Sequence, residues 1–366
     1  MRVVVVGAGI IGAAIADGLA RRGVEVTVID ARPAGHGASR ASAGILAPYV
    51  EAADETPLLP LGVRSLAMYD EFVAGASARS GRPIEYARSG TLQVARSDAD
   101  ADHLRASSAW LASRGVRCDW LDAASVHERV PALAPEVRAG LLIPEHGFVG
   151  VSALVSALVQ SARLAGATFE TPADATRIVP RAGGVEIRCG DRRLDADVVV
   201  VAAGTWAARL RIDGVPPLPV RPVRGQLLHL QWAGAAFPSR VVWGPDCYAV
   251  PWPDGSLLVG ATMEEAGFDE RTTVAGVSTL SSAAAALLPA AAGAALTEAR
   301  AGLRPATPDG LPIVGALRAA PRVFCATGHF RNGILLAPLT AAMVERAVVD
   351  GVGDEASGLL GADRFF

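Results

Sequence analysis

Arg2-Val3-Val4-Val5-Val6-Gly7-Ala8-Gly9-Ile10-Ile11-Gly12 opens the chain with a β-branched run that turns on glycine. Consecutive valines read as a buried parallel strand, because a strand covered on both faces needs no polar alternation. Past the turn, Ile11, Ile15 and Leu19 recur every fourth residue, one face of a helix over 10–22 that Gly23 ends. A second strand over 24–29 closes on Asp30. Strand, glycine turn, helix, strand and acid form the βαβ context in which G-x-G-x-x-G binds a dinucleotide. Gly7 supplies the tight turn, Gly9 the close approach to a pyrophosphate and Gly12 the close packing of helix on strand, with the helix's positive end at the phosphates. Asp30, 18 residues after Gly12, stands where a carboxylate can accept both ribose hydroxyls. An acid there disfavours a 2′-phosphate, which puts FAD or NAD ahead of NADP.

Working outward, 366 residues leave room for two domains at roughly 100–200 residues each. All 34 basic residues are Arg, set against 37 acids for a net charge of -3. That weak acidity excludes a globally basic nucleic-acid binder. The absence of Lys excludes a Schiff-base lysine, a P-loop lysine and a lysine general base. Cys118, Cys189, Cys247 and Cys325 form no CxxC, and the six His form no HxxxH or HExxH pair, so no metal site or disulfide framework is suggested. A reducing, cytoplasmic setting fits. Arg2 and the apolar run to Ala16 imitate a secretory signal, but its removal would delete the glycine turn. A membrane-spanning helix needs about 20 apolar residues. The longest Ala-rich stretch, 283–296, is broken by Pro289, so no integral membrane segment is expected.

Further along, a Gly/Ser/Ala-rich stretch over 33–44 reads as a loop, functional or disordered, and helical periodicity resumes over 58–80. The run 90–94 looks like a strand of a different sheet, with helices over 98–114, 123–130 and 151–166. Residues 185–188 and 197–202 read as a strand pair, and the valine run 198–201 ending at Gly204 rejoins the sheet begun at residue 2. Alternation over 226–231, 248–251 and 257–261, with Pro253-Asp254-Gly255 as a hairpin turn, reads as an antiparallel substrate domain. A final parallel strand over 322–326 leads to a helix over 333–349. Between them, Gly328-His329-Phe330-Arg331-Asn332-Gly333-Ile334 can turn backbone N–H groups and a helix's positive end toward a ligand. A reduced flavin carries negative charge that such an end would stabilise; an ordinary turn built on Asn332-Gly333 is the plainer alternative.

The Gly7-to-Gly12 turn with Asp30, the loop Ser39-Arg40-Ala41-Ser42-Ala43-Gly44-Ile45-Leu46, Cys247-Tyr248, Gly260-Ala261-Thr262-Met263, Ala301-Gly302-Leu303-Arg304-Pro305 and Gly328 to Leu336 together resemble the D-amino-acid oxidase superfamily. Within it the chain most resembles the glycine-oxidase branch of thiamine-thiazole synthesis. The resemblance implies an α/β chain, α+β as a whole. A discontinuous Rossmann-like FAD-binding domain (1–80, 150–215 and 300–366) would join a substrate-binding domain on a large antiparallel or mixed sheet (81–149 and 216–299).

It further implies noncovalent FAD, with hydride passing from the α-carbon of a small amino acid to flavin N5. Oxygen would then be reduced to hydrogen peroxide, and the imine hydrolysed to a 2-oxo acid plus ammonia or an amine. Carried over by position, FAD would contact Gly7, Gly9, Ile10, Ile11, Gly12, Asp30, Ala31, Arg32, Ser39, Arg40, Ser42, Ala43, Gly44, Ile45 and Leu46. It would also contact Ala175, Ala203, Gly204, Trp206, Arg304, Gly328, His329, Phe330, Arg331, Asn332, Gly333 and Ile334. Arg304 would clamp the substrate carboxylate through its planar fork, with Tyr248 donating to the same group. Met263 would line the pocket, and Arg331 would stand beside the amine, chiefly through its backbone carbonyl. Tyr248 and Met263 also fit plain core, and Arg304 a surface ion pair. No general base is implied, and His329 is read as backbone and packing.

The sequence departs from the family at Asp246, where the branch carries His, close to the pocket mouth. An acid there would disfavour anionic substrates or select a second amine. The missing lysine disfavours the sarcosine-oxidase subgroup, and Cys325 reads as a small buried hydrophobe rather than a flavin linkage. Loops over 51–61 and 243–246 would set the pocket volume. The expected substrates are glycine, N-methylglycine and small D-amino acids, with O2 as acceptor and a homo-oligomer, dimer or tetramer, as the assembly. The alternatives are a D-amino-acid or cyclic imino-acid dehydrogenase serving a quinone or protein acceptor, and a flavin-binding protein that oxidises no amine.

Overall fold

The computed structural model describes residues 1–50 and 56–366. Of the loop expected over 51–61, residues 51–55 therefore lie outside the described part.

Arg2–Val6 occupies the middle of a six-stranded sheet, between Glu25–Ile29 and Val198–Val201, parallel to both. Thr168–Glu170 extends the sheet beyond Glu25–Ile29, and Ala320–Thr327 lies parallel to Val198–Val201 on the other side. Ile313–Leu317 is an antiparallel edge strand. The valine run is buried on both faces because each face has its own cover. Val3 and Val5 pack with the helices Ile10–Arg21, Val151–Leu164 and Ala337–Val349. Val4 and Val6 pack instead against Ile178, Val185 and Ile187 of a four-stranded sheet. Alternate side chains point to opposite faces, so both kinds had to be apolar.

The helix Ile10–Arg21 is buried at every position from Ile10 to Ala20, more than one apolar face would require. Neighbouring helices wrap it, and its Ala and Gly content lets them approach: a β-carbon at Gly18 would stand 2.7 Å from Glu345. The one acid it buries, Asp17, accepts from Arg79 at 2.8 Å and from the Ser161 hydroxyl at 2.5 Å.

The second large unit is an eight-stranded sheet. In spatial order it runs Ala295–Ala306, Arg221–Gln231, Ser256–Gly260, Tyr248–Pro251, Val241–Trp243, Thr91–Ala95, Ala139–Ile143 and Asp119–Asp122. All its pairings among the described residues are antiparallel except Val241–Trp243 with Thr91–Ala95, so the sheet is mixed. The hairpin expected at Pro253-Asp254-Gly255 joins Tyr248–Pro251 to Ser256–Gly260. A small sheet of Ile45–Leu46, Gly147–Val149 and Tyr86–Ala87 lies beside the Ser/Gly loop.

Three local expectations change. Residues 185–188 and 197–202 do not pair: Gly184–Cys189 pairs with Arg177–Arg181 and Arg192–Ala196, while Val198–Val201 lies in the parallel sheet. The intervening strand Arg192–Ala196 is charged and half-exposed, so it carries no apolar pattern to reveal it. The periodic stretch 58–80 is two helices, Leu58–Ala67 and Tyr69–Ser80, meeting at Met68. The last helix starts at Ala337 rather than at residue 333, so Phe330 to Leu336 forms successive turns before it.

Candidate active site

The carboxyl ends of Arg2–Val6, Glu25–Ile29 and Val198–Val201 open, with the residues after Ala320–Thr327, on a cavity of about 1280 Å³. Its other wall is the eight-stranded sheet, at Tyr248, Gly260 and Arg304. This exceeds the roughly 300–1,000 Å³ of an ordinary small-molecule pocket and accommodates a dinucleotide with a small substrate.

At one end the glycine turn does what its spacing requires. Gly7 sits at φ +109°, and a β-carbon there would lie 2.4 Å from the Ala202 carbonyl oxygen. Gly12 faces the same turn, its β-carbon position only 1.8 Å from the Gly7 oxygen. Gly9, by contrast, has only the Ser39 hydroxyl at 3.3 Å beside it and borders the cavity. Asp30 accepts from the Ala8 N–H at 2.7 Å and the Arg32 N–H at 2.8 Å, so the carboxylate is held at the cavity edge by backbone donors. Each oxygen keeps a lone pair for a ribose hydroxyl. The Ser39 hydroxyl accepts from the Ile10 N–H at 3.0 Å, satisfying one of the helix's first donors. Arg32 stacks on Trp206, 4.1 Å from its ring centroid, and pairs with Glu270 at 2.9 Å. Arg209 stacks on Phe268 at 3.5 Å, so the segment around residues 268–270 crosses to the dinucleotide end from the other sheet.

At the other end Arg304 projects from Ala295–Ala306 and lines the cavity. Its Nη1 donates to the Thr262 carbonyl at 3.0 Å and, at 3.5 Å, to that of Arg224. Among the described residues no carboxylate lies within ion-pair distance of it. Burial pulls its pKa below the usual arginine value, with Arg331 adding repulsion while Tyr248 and Glu264 oppose the change. The group still stays charged, and a half-buried cation facing a cavity without a partner anion is a receptor for one. Tyr248 stands over Gly260, its cross-strand partner, with its ring 5.0 Å from that of Trp243. Burial raises its pKa, so the hydroxyl keeps its proton and can donate. Phe330 takes φ +49° and donates its N–H to the Pro305 carbonyl at 2.8 Å, tying the turn that carries Arg331 to the strand that carries Arg304.

The cavity brings together Arg304, Tyr248, Met263, Arg331 and most of the expected flavin contacts, including Ala31, Ser42, Ala43, Gly44, Ile45, Ala175, Ala203, Gly204, Asn332, Gly333 and Ile334. Four expected contacts do not line it. Gly12 is sealed beneath the turn, Leu46 is fully buried, Arg40 points outward to Glu298 at 2.8 Å, and Gly328 packs on Thr307. Met263 is 62% exposed and belongs to the cavity mouth, as do Asp246 and Trp243. The His329 ring turns away to Thr340 at 3.0 Å, and burial lowers its pKa to about 3, which leaves it neutral. Glu270, Arg209 and Glu264 went unforeseen: their contacts join segments far apart in sequence, and no local pattern marks them.

A family model described as FAD dependent oxidoreductase (DAO) matches residues 2–347. The glycine oxidase of Geobacillus kaustophilus is 34% identical over 343 residues, which is 93% of this chain and 91% of that protein. The bifunctional protein ThiO/ThiG of Nostoc sp. is 35% identical over 359 residues, 96% of this chain; the chain spans 53% of its length. Among solved structures, glycine oxidase from Geobacillus kaustophilus superposes with a TM-score of 0.92 at 33% identity, covering 97% of this chain and 96% of that one.

Proposed function

The chain belongs to the DAO family of FAD-dependent oxidoreductases, and from that premise we propose that its cavity oxidises glycine and other small amino acids, N-methylglycine among them. The observation that carries this reading is the half-buried Arg304 guanidinium, which lacks a carboxylate partner among the described residues and opens on the same cavity as the glycine turn. The Asp30 carboxylate and the cradle at Gly7 and Gly9 suit the ribose and pyrophosphate of FAD.

FAD, when bound, would supply an acceptor for the hydride of the substrate α-carbon and a path for its two electrons to O2, the products being hydrogen peroxide and an imine that hydrolyses to a 2-oxo acid and ammonia or an amine. The protein's own part is positioning. Arg304 offers its fork to the substrate carboxylate, and the protonated Tyr248 hydroxyl donates a further hydrogen bond. The Arg331 backbone carbonyl faces the amine, and Met263 shields the mouth. Held this way, the amino acid would aim a Cα–H bond along the cavity, which is catalysis by orientation. His329, neutral and turned toward Thr340, takes no proton.

The match to ThiO/ThiG supports a role for the imine product in thiamine thiazole synthesis. We place FAD in residues 1–80, 150–215 and 300–366, and the substrate in 81–149 and 216–299; the parallel and the eight-stranded sheets support this division, although the strand Ala295–Ala306 runs across residue 300. A cytoplasmic homo-oligomer, dimer or tetramer, acting on free amino acid and O2 without nucleic acid completes the reading. No described helix is long and apolar enough to cross a membrane.

The test is the visible spectrum of the purified protein without oxygen, before and after glycine, then after admitting air. The expected result is bleaching of the flavin band, recovery in air and peroxide. A yellow protein that neither glycine nor N-methylglycine bleaches overturns the substrate assignment. Bleaching without peroxide, with turnover only on an added dye, makes it a dehydrogenase.

A further inference from the structure

Behind Arg304 lies a polar cluster that the proposed chemistry does not use. Arg224 is 7% exposed and sits on the strand Arg221–Gln231, one residue from the register partner of Arg304, Val223. Its Nη2 donates to Glu264 Oε2 at 2.5 Å and its Nε to the same oxygen at 3.2 Å. The other Glu264 oxygen, Oε1, accepts from the Gln226 amide at 2.7 Å and the Thr262 hydroxyl at 2.5 Å. The main chains are joined as well: Arg224 N–H donates to Glu264 O at 2.8 Å, and Glu264 N–H to Arg224 O at 2.9 Å. The Thr262 hydroxyl also accepts from the Gln226 N–H at 2.8 Å.

Both carbonyls that hold Arg304 Nη1, those of Thr262 and Arg224, thus belong to residues that Glu264 fastens through its side chain. We propose that Glu264 is a positioning residue: through Thr262 and Arg224 it sets where the Arg304 fork stands, and so how tightly the site takes an amino acid's carboxylate. This rests on the reading of Arg304 as the carboxylate clamp.

The charge arrangement suits that role. Glu264 directs its carboxylate to Arg224, while Asp269 neutralises the far side of Arg224 at 3.1 Å. Glu264 is therefore engaged by donors other than Arg304 and leaves that fork to the ligand. Burial alone would raise the Glu264 pKa, but the hydrogen bonds from Thr262, Arg224 and Gln226 outweigh it and hold the group ionised. A glutamine cannot replace it, because its amide presents one acceptor and two donors to a ring of donors.

The experiment uses the flavin-loaded protein and three variants, Glu264→Gln, Thr262→Val and Thr262→Ser. Two quantities are read: KM against kcat for glycine, and the dissociation constant of glycolate, a carboxylate without an amine, from the change it makes in the flavin spectrum. Loss of a binding contact shared by ground and transition states raises KM and leaves kcat. The expected result for Glu264→Gln and Thr262→Val is a parallel rise in KM and glycolate dissociation constant of about tenfold, with kcat changed by less than about twofold. Thr262→Ser, which keeps the hydroxyl, returns both to within about threefold of the parent. Should Glu264→Gln fail to fold, the two Thr262 variants decide. Glycolate affinity unchanged in Thr262→Val, or kcat lost at constant KM, overturns the positioning role. Arg304→Ala separates the failures: if it too leaves glycolate affinity unchanged, the clamp reading falls and the positioning role with it.

Discussion

The Arg304 guanidinium lies face-on over Gly225: a β-carbon there would stand 2.1 Å from Nη2, 2.2 Å from Cζ and 2.3 Å from Nη1. The glycine leaves the space in which the fork rests on its own sheet. Gly225→Ala should retain FAD and raise KM for the amino acid about tenfold, or ~1.4 kcal/mol. Steady-state kinetics on the yellow protein checks it, and an unchanged KM would separate the fork from substrate binding.

Truncating the fork itself should cost more than removing its neighbour. Arg304→Ala loses a charged, desolvated partner, about 2–5 kcal/mol of carboxylate binding. Tyr248→Phe loses one hydrogen bond to a charged group, about 1.5–3 kcal/mol. Titration with glycolate ranks them, and a larger loss in Tyr248→Phe would reverse the assigned roles.

The three glycines of the opening turn should fail in different ways. Gly12→Ala puts a β-carbon 1.8 Å from a backbone oxygen, so helix and strand must separate. Overpacking of this kind costs about 1–3 kcal/mol or more, and melting temperature should fall even without flavin. The β-carbon of Gly9→Val meets only the Ser39 hydroxyl, at 3.3 Å, so this variant should disturb the fold less than Gly12→Ala yet carry no FAD. Flavin absorbance per chain, measured beside the melting curve, distinguishes the two.

The dinucleotide turn was legible because every element of it is local: strand, turn, helix and acid follow one another within the first 30 residues. Arg304, Tyr248 and Met263 were placed by resemblance to a family, and the cavity unites them. What escaped was set by distant contacts. Nothing in Arg192–Ala196 announces a strand, because its residues are held by pairing with Gly184–Cys189 rather than by burying an apolar face. Glu264 reads as one acid of a polar loop until the fold sets Arg224, 40 residues earlier, against it.

Two buried histidines give the fold an acid limit. Burial lowers the pKa of both His146 and His329 from 6.5 to about 3, with Arg88 also opposing charge on His146. Between those values the unfolded chain binds protons that the native chain refuses, so stability present above pH 6.5 declines as pH falls toward 3. Each group contributes a slope of ~1.4 kcal/mol per pH unit at most. Denaturant midpoints at pH 7 and pH 5 should differ less in His329→Gln than in the parent, and equal differences would remove His329 as a cause.

The stretch from Thr262 to Thr273 touches both ends of the cavity. Glu264 fastens the backbone beneath Arg304, while Phe268 and Glu270 meet Arg209 and Arg32 beside the dinucleotide turn. One short length of chain thus serves as a common strut for cofactor and substrate. Any order that bound FAD gave the strut would be shared by the carboxylate clamp, and by reciprocity an occupied clamp would then tighten the binding of FAD. A cell poor in flavin would then hold enzyme that lacks its oxidant and is also less receptive to the amino acid.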